Sequence, residues 1–308
     1  MNDRAFFLGK GGVGKTTLSG AFALSLARKG KKVLIASLDP AHNLGDILGT
    51  RLSGEPITIE PRLDALEVDL AYWVDKYLNE SRAQMKANYS YNTAFNLDSF
   101  FNIMKYSPGT EEYAVLWAIE DIHCRLGPLY DVVVFDTPPT ALSLRFLSLP
   151  VISGLWVKEL RQLREKILSK RQTVARINPE SPIAASCIDK DEDKVYGQLK
   201  NIGLRLSRLE LLFAKESFIS VIVNPDRLSV DEALRIQEEL NRLGIPLSAV
   251  CVNKKGISDM AWAQHPSLAG YPQFDFDFTR EGISSREELM AVGAQALAAH
   301  FLNRAGNQ

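Results

Sequence analysis

The chain has 308 residues, 46% of them apolar and 24% charged, with a formal net charge of −1. That balance is ordinary for a soluble globular protein and excludes both a global basic field for nucleic acid and an acidic solvating tail. Cys124, Cys187 and Cys251 are far apart and form no Cys-x-x-Cys pair, so neither a disulfide framework nor a tetrathiolate zinc site is expected within one chain.

In chain order, Met1 to Arg4 precede the apolar run Ala5-Phe6-Phe7-Leu8, too short a lead for a secretory leader. No segment approaches the ~18 uninterrupted apolar residues of a membrane span. The expectation is a cytoplasmic protein without direct membrane insertion, peripheral to a membrane only through a partner. Short apolar runs at 5–8, 33–38, 66–68, 132–135, 218–223 and 249–252 read as strands. Several are apolar on both faces, as strands covered by helices on each side are. Longer helical patterns separate them, which predicts an α/β fold on a doubly wound, mostly parallel sheet. One helix follows the first glycine turn from Lys15 to Arg28, with Gly30 as its stop. Ser229 reads as the cap of another, with Asp231 and Glu232 in its first turn and Gly244 and Pro246 at its end. A last helix is expected from Ser285 to Asn303, opened by Ser-Arg-Glu-Glu.

Two stretches, 71–128 and 154–215, are helical in pattern and poor in strand signals. They predict an inserted α-helical subdomain within a single domain spanning 1–308. Val195, Leu199, Ile202, Leu206, Leu209 and Phe213 recur at steps of four and three. Trp156, Leu160, Leu163 and Ile167 do the same on a helix rich in Arg and Lys. Such stripes either pack on their own sheet and helices or line a groove for an apolar client or a membrane partner. The run from Asp189 to Lys194 reads as a solvated linker.

Gly9-Lys10-Gly11-Gly12-Val13-Gly14-Lys15-Thr16 matches the P-loop pattern G-x-x-x-x-G-K-[ST] without a mismatch. Glycines let the backbone curl so that successive N–H groups point inward, and the following helix adds its positive end. Lys15 can then reach the β- and γ-phosphates, and the Thr16 hydroxyl can ligate Mg²⁺. ATP and Mg²⁺ are therefore the expected cofactors, with Gly9, Lys10, Gly11, Gly12, Val13, Gly14, Lys15, Thr16 and Thr17 as the phosphate-binding set. Asp136 closes the run 132–135 and precedes Thr137-Pro138-Pro139-Thr140. An acidic residue at the carboxyl end of a buried strand beside the P-loop strand suits a magnesium-coordinating carboxylate. Asp39, held by the following Pro40, is a candidate for orienting or deprotonating the attacking water. Its loop also reads as a plain turn and helix cap.

Taken together, G-K-G-G-V-G-K-T-T, D-P-A-H-N-L-G-D and D-T-P-P-T-A-L-S-L-R-F-L-S-L-P resemble the ArsA family of ATPases. That family includes arsenite-pump driving ATPases and the factor that delivers tail-anchored membrane proteins. Ser107-Pro108-Gly109-Thr110-Glu111-Glu112 resembles the family's Pro-Gly-acidic stretch. The resemblance implies a deviant Walker A motif in which Lys10 reaches the phosphates across a homodimer interface. Lys10, Lys15 and Asp39 form the implied catalytic set, and Thr16 and Asp136 the magnesium set. It further implies that Asn253 recognises adenine, that Pro272 lies near the base, and that ATP closes the dimer while hydrolysis reopens it. The implied partner is a permease or a tail-anchored client, for metalloid or anion export or for client handling. This chain departs from the pattern in having Leu142 at the family's switch histidine, one half rather than two fused halves, and no Cys-x-x-Cys for a shared zinc. The alternative is a Min- or Par-like spatial-positioning ATPase. Against it, the segment Ala291 to His300 is barely charged where a membrane-binding helix is basic, and no basic face offers itself to DNA, so no nucleic-acid partner is expected.

Overall fold

The computed structural model describes residues 3–41, 43–88, 107, 109–180, 189–257, 265–278, 283 and 285–305, so His42, Pro108 and Cys187 lie outside the described residues. In chain order the elements are β1 (Asp3–Leu8), α1 (Lys15–Arg28), β2 (Val33–Ser37), α2 (Asn43–Leu48), β3 (Ile57–Glu60), β4 (Leu63–Glu67), α3 (Leu70–Asn88), α4 (Thr110–Asp121), β5 (Val132–Asp136) and α5 (Thr140–Ile177). Then come α6 (Lys194–Lys215), β6 (Ser217–Val223), α7 (Arg227–Arg242), β7 (Ala249–Lys255), α8 (Pro266–Ala269), β8 (Gln273–Asp277), α9 (Arg286–Ala291) and α10 (Gln295–Ala305). A π turn over Ile122–Leu126 follows α4.

These strands form one sheet in the order β3-β4-β2-β5-β1-β6-β7-β8. Neighbours run parallel except β3, which is antiparallel to β4. The chain leaves β1 for strands on one side and later returns to build the other side. A doubly wound sheet opens its ligand crevice at such a reversal, beyond the carboxyl ends of the strands.

Side chains alternate across each strand, and the two faces have separate cores. Phe6, Leu34, Phe135 and Ile219 face α3, α4, α6 and α7, whereas Phe7, Ile35, Val134 and Phe218 face α1, α2, α9 and α10. Phe6 stacks on Phe135 at 4.5 Å between ring centroids and meets the edge of Phe213 at 5.6 Å. Trp73, Leu116, Leu209 and Phe213 belong to the same apolar cluster as the sheet residues. The helical stretches are thus continuous with the sheet's core, a covering layer as much as an insertion.

The two apolar stripes have opposite fates. On α6, Leu206, Leu209 and Phe213 turn into the core. On α5, Trp156, Leu160 and Leu163 are exposed by 68%, 44% and 54%. α5 is long and apolar enough to cross a membrane by length and composition. Its first turns are nonetheless built into the fold, for Phe146 and Leu147 are buried and Arg145 pairs with Glu112 at 2.9 Å.

Other expectations are refined. The cap of α7 is Asp226, whose Oδ1 accepts the Ser229 amide at 2.9 Å, while the Ser229 hydroxyl accepts the Asn224 amide. Ser285 forms the capping box of α9, but the last helix is broken at Gly293, where φ is +84°.

Candidate active site

β1 ends at Leu8 and the chain turns at Gly9, where an added Cβ would stand 2.7 Å from the Ile222 carbonyl oxygen of β6. Only glycine permits that approach. Gly12 and Gly14 follow with φ of +78° and +95°, and the loop delivers the chain into α1. Gly14 occupies the cap position of α1 without a side-chain cap, and the first turn carries no acidic residue. The positive end of the helix and its amide donors are left for an anion.

Lys15 is 6% exposed, and its Nζ donates to the carbonyls of Gly9 and Lys10, each at 3.2 Å. Burial pushes its pKa down, and the neighbouring charges of Asp136 and Asp39 oppose that shift. The ammonium is therefore held inside the loop by carbonyls for which phosphate oxygens can compete.

Asp136 is fully buried at the end of β5, in register with Phe7 of β1 and Ser37 of β2. Burial pushes its carboxyl up to about 7, with Asp39 adding to the rise and Thr16, Lys15 and Ser19 opposing it. Its Oδ2 accepts from the Ser37 hydroxyl at 3.5 Å; the Thr16 and Ser19 hydroxyls lie near enough to lower its pKa, yet neither completes a well-formed hydrogen bond to the buried Oδ1. An unsatisfied buried carboxylate oxygen costs about 1–3 kcal/mol or more. With the Thr16 hydroxyl beside it, the donor set is all oxygen and suits a hard divalent cation. Thr16 and Asp136 therefore fit Mg²⁺. No group of three or more His, Cys, Asp or Glu side chains among the described residues offers another metal centre.

Leu38 donates its amide to the Asp136 carbonyl at 2.8 Å, which carries the second-strand loop outward beside β5. Asp39 follows, half-buried, with Oδ1 accepting the Ala41 amide at 3.0 Å. Its carboxylate serves its own turn while its charge bears on both Lys15 and Asp136. Lys10, Gly11 and Gly12 are exposed at the crest of the loop, and Val13 is buried beneath it. Thr16 and Thr17 are half-buried in the first turn of α1.

Asn253, on β7, donates Nδ2 to the Val13 carbonyl at 2.7 Å, and a Cβ on Gly14 would collide with that same nitrogen. Pro272 immediately precedes β8. Its carbonyl accepts the Val250 amide at 2.9 Å, near the start of β7. Through β7 and β6 the register sets the following Gln273 level with Leu8, the last residue of β1.

Sequence reasoning missed two residues. Glu67 ends β4, is 8% exposed and accepts the Gly45 amide at 2.9 Å, anchoring α2 behind Asp39. The signal was a charged residue closing the run Leu63-Asp64-Ala65-Leu66, the pattern that singled out Asp136. Lys254 donates Nζ to the Gly12 carbonyl at 3.0 Å, a contact no local pattern announces. Of the cysteines, Cys251 lies inside the core, where burial pushes its thiol up to about 12, and Cys124 is exposed on the π turn.

A glycine loop between a buried strand and a bare helix terminus, an enclosed lysine and a strand-end carboxylate define a P-loop nucleoside triphosphatase. Comparison with known proteins narrows the class. The chain belongs to the anion-transporting ATPase family, whose sequence profile matches residues 3–264, and it is accordingly an ATPase. It is 30% identical over 249 residues to "Putative arsenical pump-driving ATPase 2" of Aquifex aeolicus, an overlap of 81% of this chain and 79% of that protein. "Putative arsenical pump-driving ATPase" of Chlorobaculum tepidum is 32% identical over 261 residues, 80% of this chain but 60% of the relative. "ATPase ASNA1 homolog 2" of Paramecium tetraurelia is 27% identical over 265 residues, 81% of this chain and 74% of that one.

Proposed function

We propose that the protein hydrolyses Mg-ATP as a cytoplasmic, nucleotide-switched homodimer and couples turnover to a membrane-protein partner through the outer face of α5. One observation carries this reading. Asp136, the proposed metal-holding carboxylate, is followed by Thr137, Pro138 and Pro139, and Pro139 is itself the cap residue of the helix that carries Trp156, Leu160 and Leu163 on its exposed side. A displacement at the nucleotide end would travel along α5, past its internal Pro150, to the apolar surface.

In the proposed cycle the P-loop amides and the α1 terminus bind the phosphates, and Lys15 exchanges its carbonyl partners for β- and γ-phosphate oxygens. Thr16 and Asp136 hold Mg²⁺, which neutralises charge on the phosphate oxygens. Asp39 orients the attacking water and accepts its proton. Lys10, exposed at the crest of the loop, reaches the nucleotide of the second protomer. The apolar outer face of α5 favours an apolar, membrane-spanning client or permease.

The test joins phosphate-release assays to co-purification from membranes. Lys15→Ala lowers turnover by about two to three orders of magnitude, the scale of removing a main electrostatic contact. Trp156→Asp with Leu160→Asp retains hydrolysis and loses the membrane-protein partner. Hydrolysis by Lys15→Ala at the wild-type rate removes the P-loop role. A partner retained by the α5 double variant removes the proposed coupling surface.

A further inference from the structure

We infer that Asn253 and Lys254, at the end of β7, form a brace that aims the P-loop amides at phosphate, a positioning role distinct from recognition of the base. The inference rests on the nucleotide reading above. β7 is separated from β1 by β6, so the two side chains reach across one strand to the loop. Asn253 Nδ2 holds the Val13 carbonyl at 2.7 Å, and Lys254 Nζ holds the Gly12 carbonyl at 3.0 Å.

In a planar trans peptide the carbonyl and the next residue's N–H point in opposite directions. Drawing the Gly12 and Val13 carbonyls toward β7 therefore turns the amides of Val13 and Gly14 away from β7, into the loop. The Val13 amide, 3.5 Å from the Lys10 carbonyl, is weakly engaged by that geometry and open to a better acceptor. Lys15 does the matching work on the other limb by holding the carbonyls of Gly9 and Lys10. A glycine-rich loop loses much backbone entropy on ordering. Here its carbonyls are tied down by side chains from two elements, so that order is present in the protein itself.

The conformation of Lys254 fits this role. Its φ is +57°, in the left-handed region that a residue with a Cβ rarely adopts. Lys255, one residue on, is committed elsewhere and pairs with Asp275 of β8 at 3.0 Å. Asn253 is 8% exposed, pressed against Gly14 closely enough that no side chain fits there. A brace on the loop backbone acts on any polyphosphate, whereas an adenine contact acts on the base alone.

The experiment is calorimetric titration of the full chain with Mg-ATP, Mg-GTP and magnesium tripolyphosphate, which has no base. Asn253→Ala and Lys254→Met are each expected to weaken all three by a common factor of about five- to tenfold, the scale of one hydrogen bond. The preference between ATP and GTP stays as in the wild type, and Lys254→Arg, which keeps a charged donor, recovers most of the loss. Weakened ATP binding with unchanged tripolyphosphate binding in Asn253→Ala assigns that residue to the base and overturns the brace. Wild-type tripolyphosphate binding by Lys254→Met overturns it equally, and the half-exposed Lys254 site carries the test should Asn253→Ala not fold. A wild-type chain that binds none of the three ligands refutes the nucleotide reading itself.

Discussion

Lys15 and Asp136 are both withdrawn from water, and burial moves their pKa values in opposite directions, down for the ammonium and up to about 7 for the carboxyl. Each shift disfavours the charged form, so each group gains most when a counter-charge arrives, in the proposed cycle a phosphate for one and a divalent cation for the other. His123 shows the same physics with a structural outcome. Burial pushes it from 6.5 down to about 4, with Arg4 and Arg208 adding to the fall. Its Nδ1 accepts from Arg4 Nε at 3.1 Å, which requires that nitrogen to be unprotonated. Between pH 6.5 and about 4 the unfolded chain binds a proton that the folded chain refuses. Stability therefore falls as pH falls through that window and is retained above it. Urea unfolding at a series of pH values is expected to show this acid-side slope, and His123→Asn to flatten it. An unchanged slope would place the titrating group elsewhere.

Among the elements, runs bounded by turns were legible because burial on both faces leaves an apolar signature. The reading 132–135 became Val132–Asp136 and 218–223 became Ser217–Val223. The run 66–68 understated Leu63–Glu67 because Asp64 interrupts it, and in the structure that carboxylate is accounted for by the hydroxyls of Tyr130 and Thr58, each at 2.7 Å. Edge strands Ile57–Glu60 and Gln273–Asp277 were missed, since a strand paired on one side is free to carry polar residues. Helical stripes showed periodicity but not which face would be covered. Phe213→Ala on α6 is expected to cost about 3–5 kcal/mol in urea unfolding, the scale of a core aromatic deletion. Leu163→Ala on α5 is expected to change stability by less than about 0.5 kcal/mol. Equal losses would mean that the α5 face is packed in solution.

For the whole molecule, the position of Lys10 at the loop crest makes the assembly state the informative measurement. Asp39→Asn is expected to bind ATP, turn over about 100-fold or more slowly, within the range of a lost general base, and accumulate as a dimer in sedimentation with Mg-ATP. Adding Lys10→Ala returns it to the nucleotide-free assembly state; a dimer indifferent to both nucleotide and Lys10 would detach assembly from the cycle. Sequence alone determined the α/β class, the P-loop with its lysine and threonine, and Asp136, because backbone curl, helix start and strand-end carboxylate are set by residues adjacent in the chain. Only the tertiary structure decided that Asn253 and Lys254 grip the loop, and that α5 rather than α6 leaves its apolar stripe exposed. Those outcomes depend on strand order and on which helix covers which face, and long-range packing sets both.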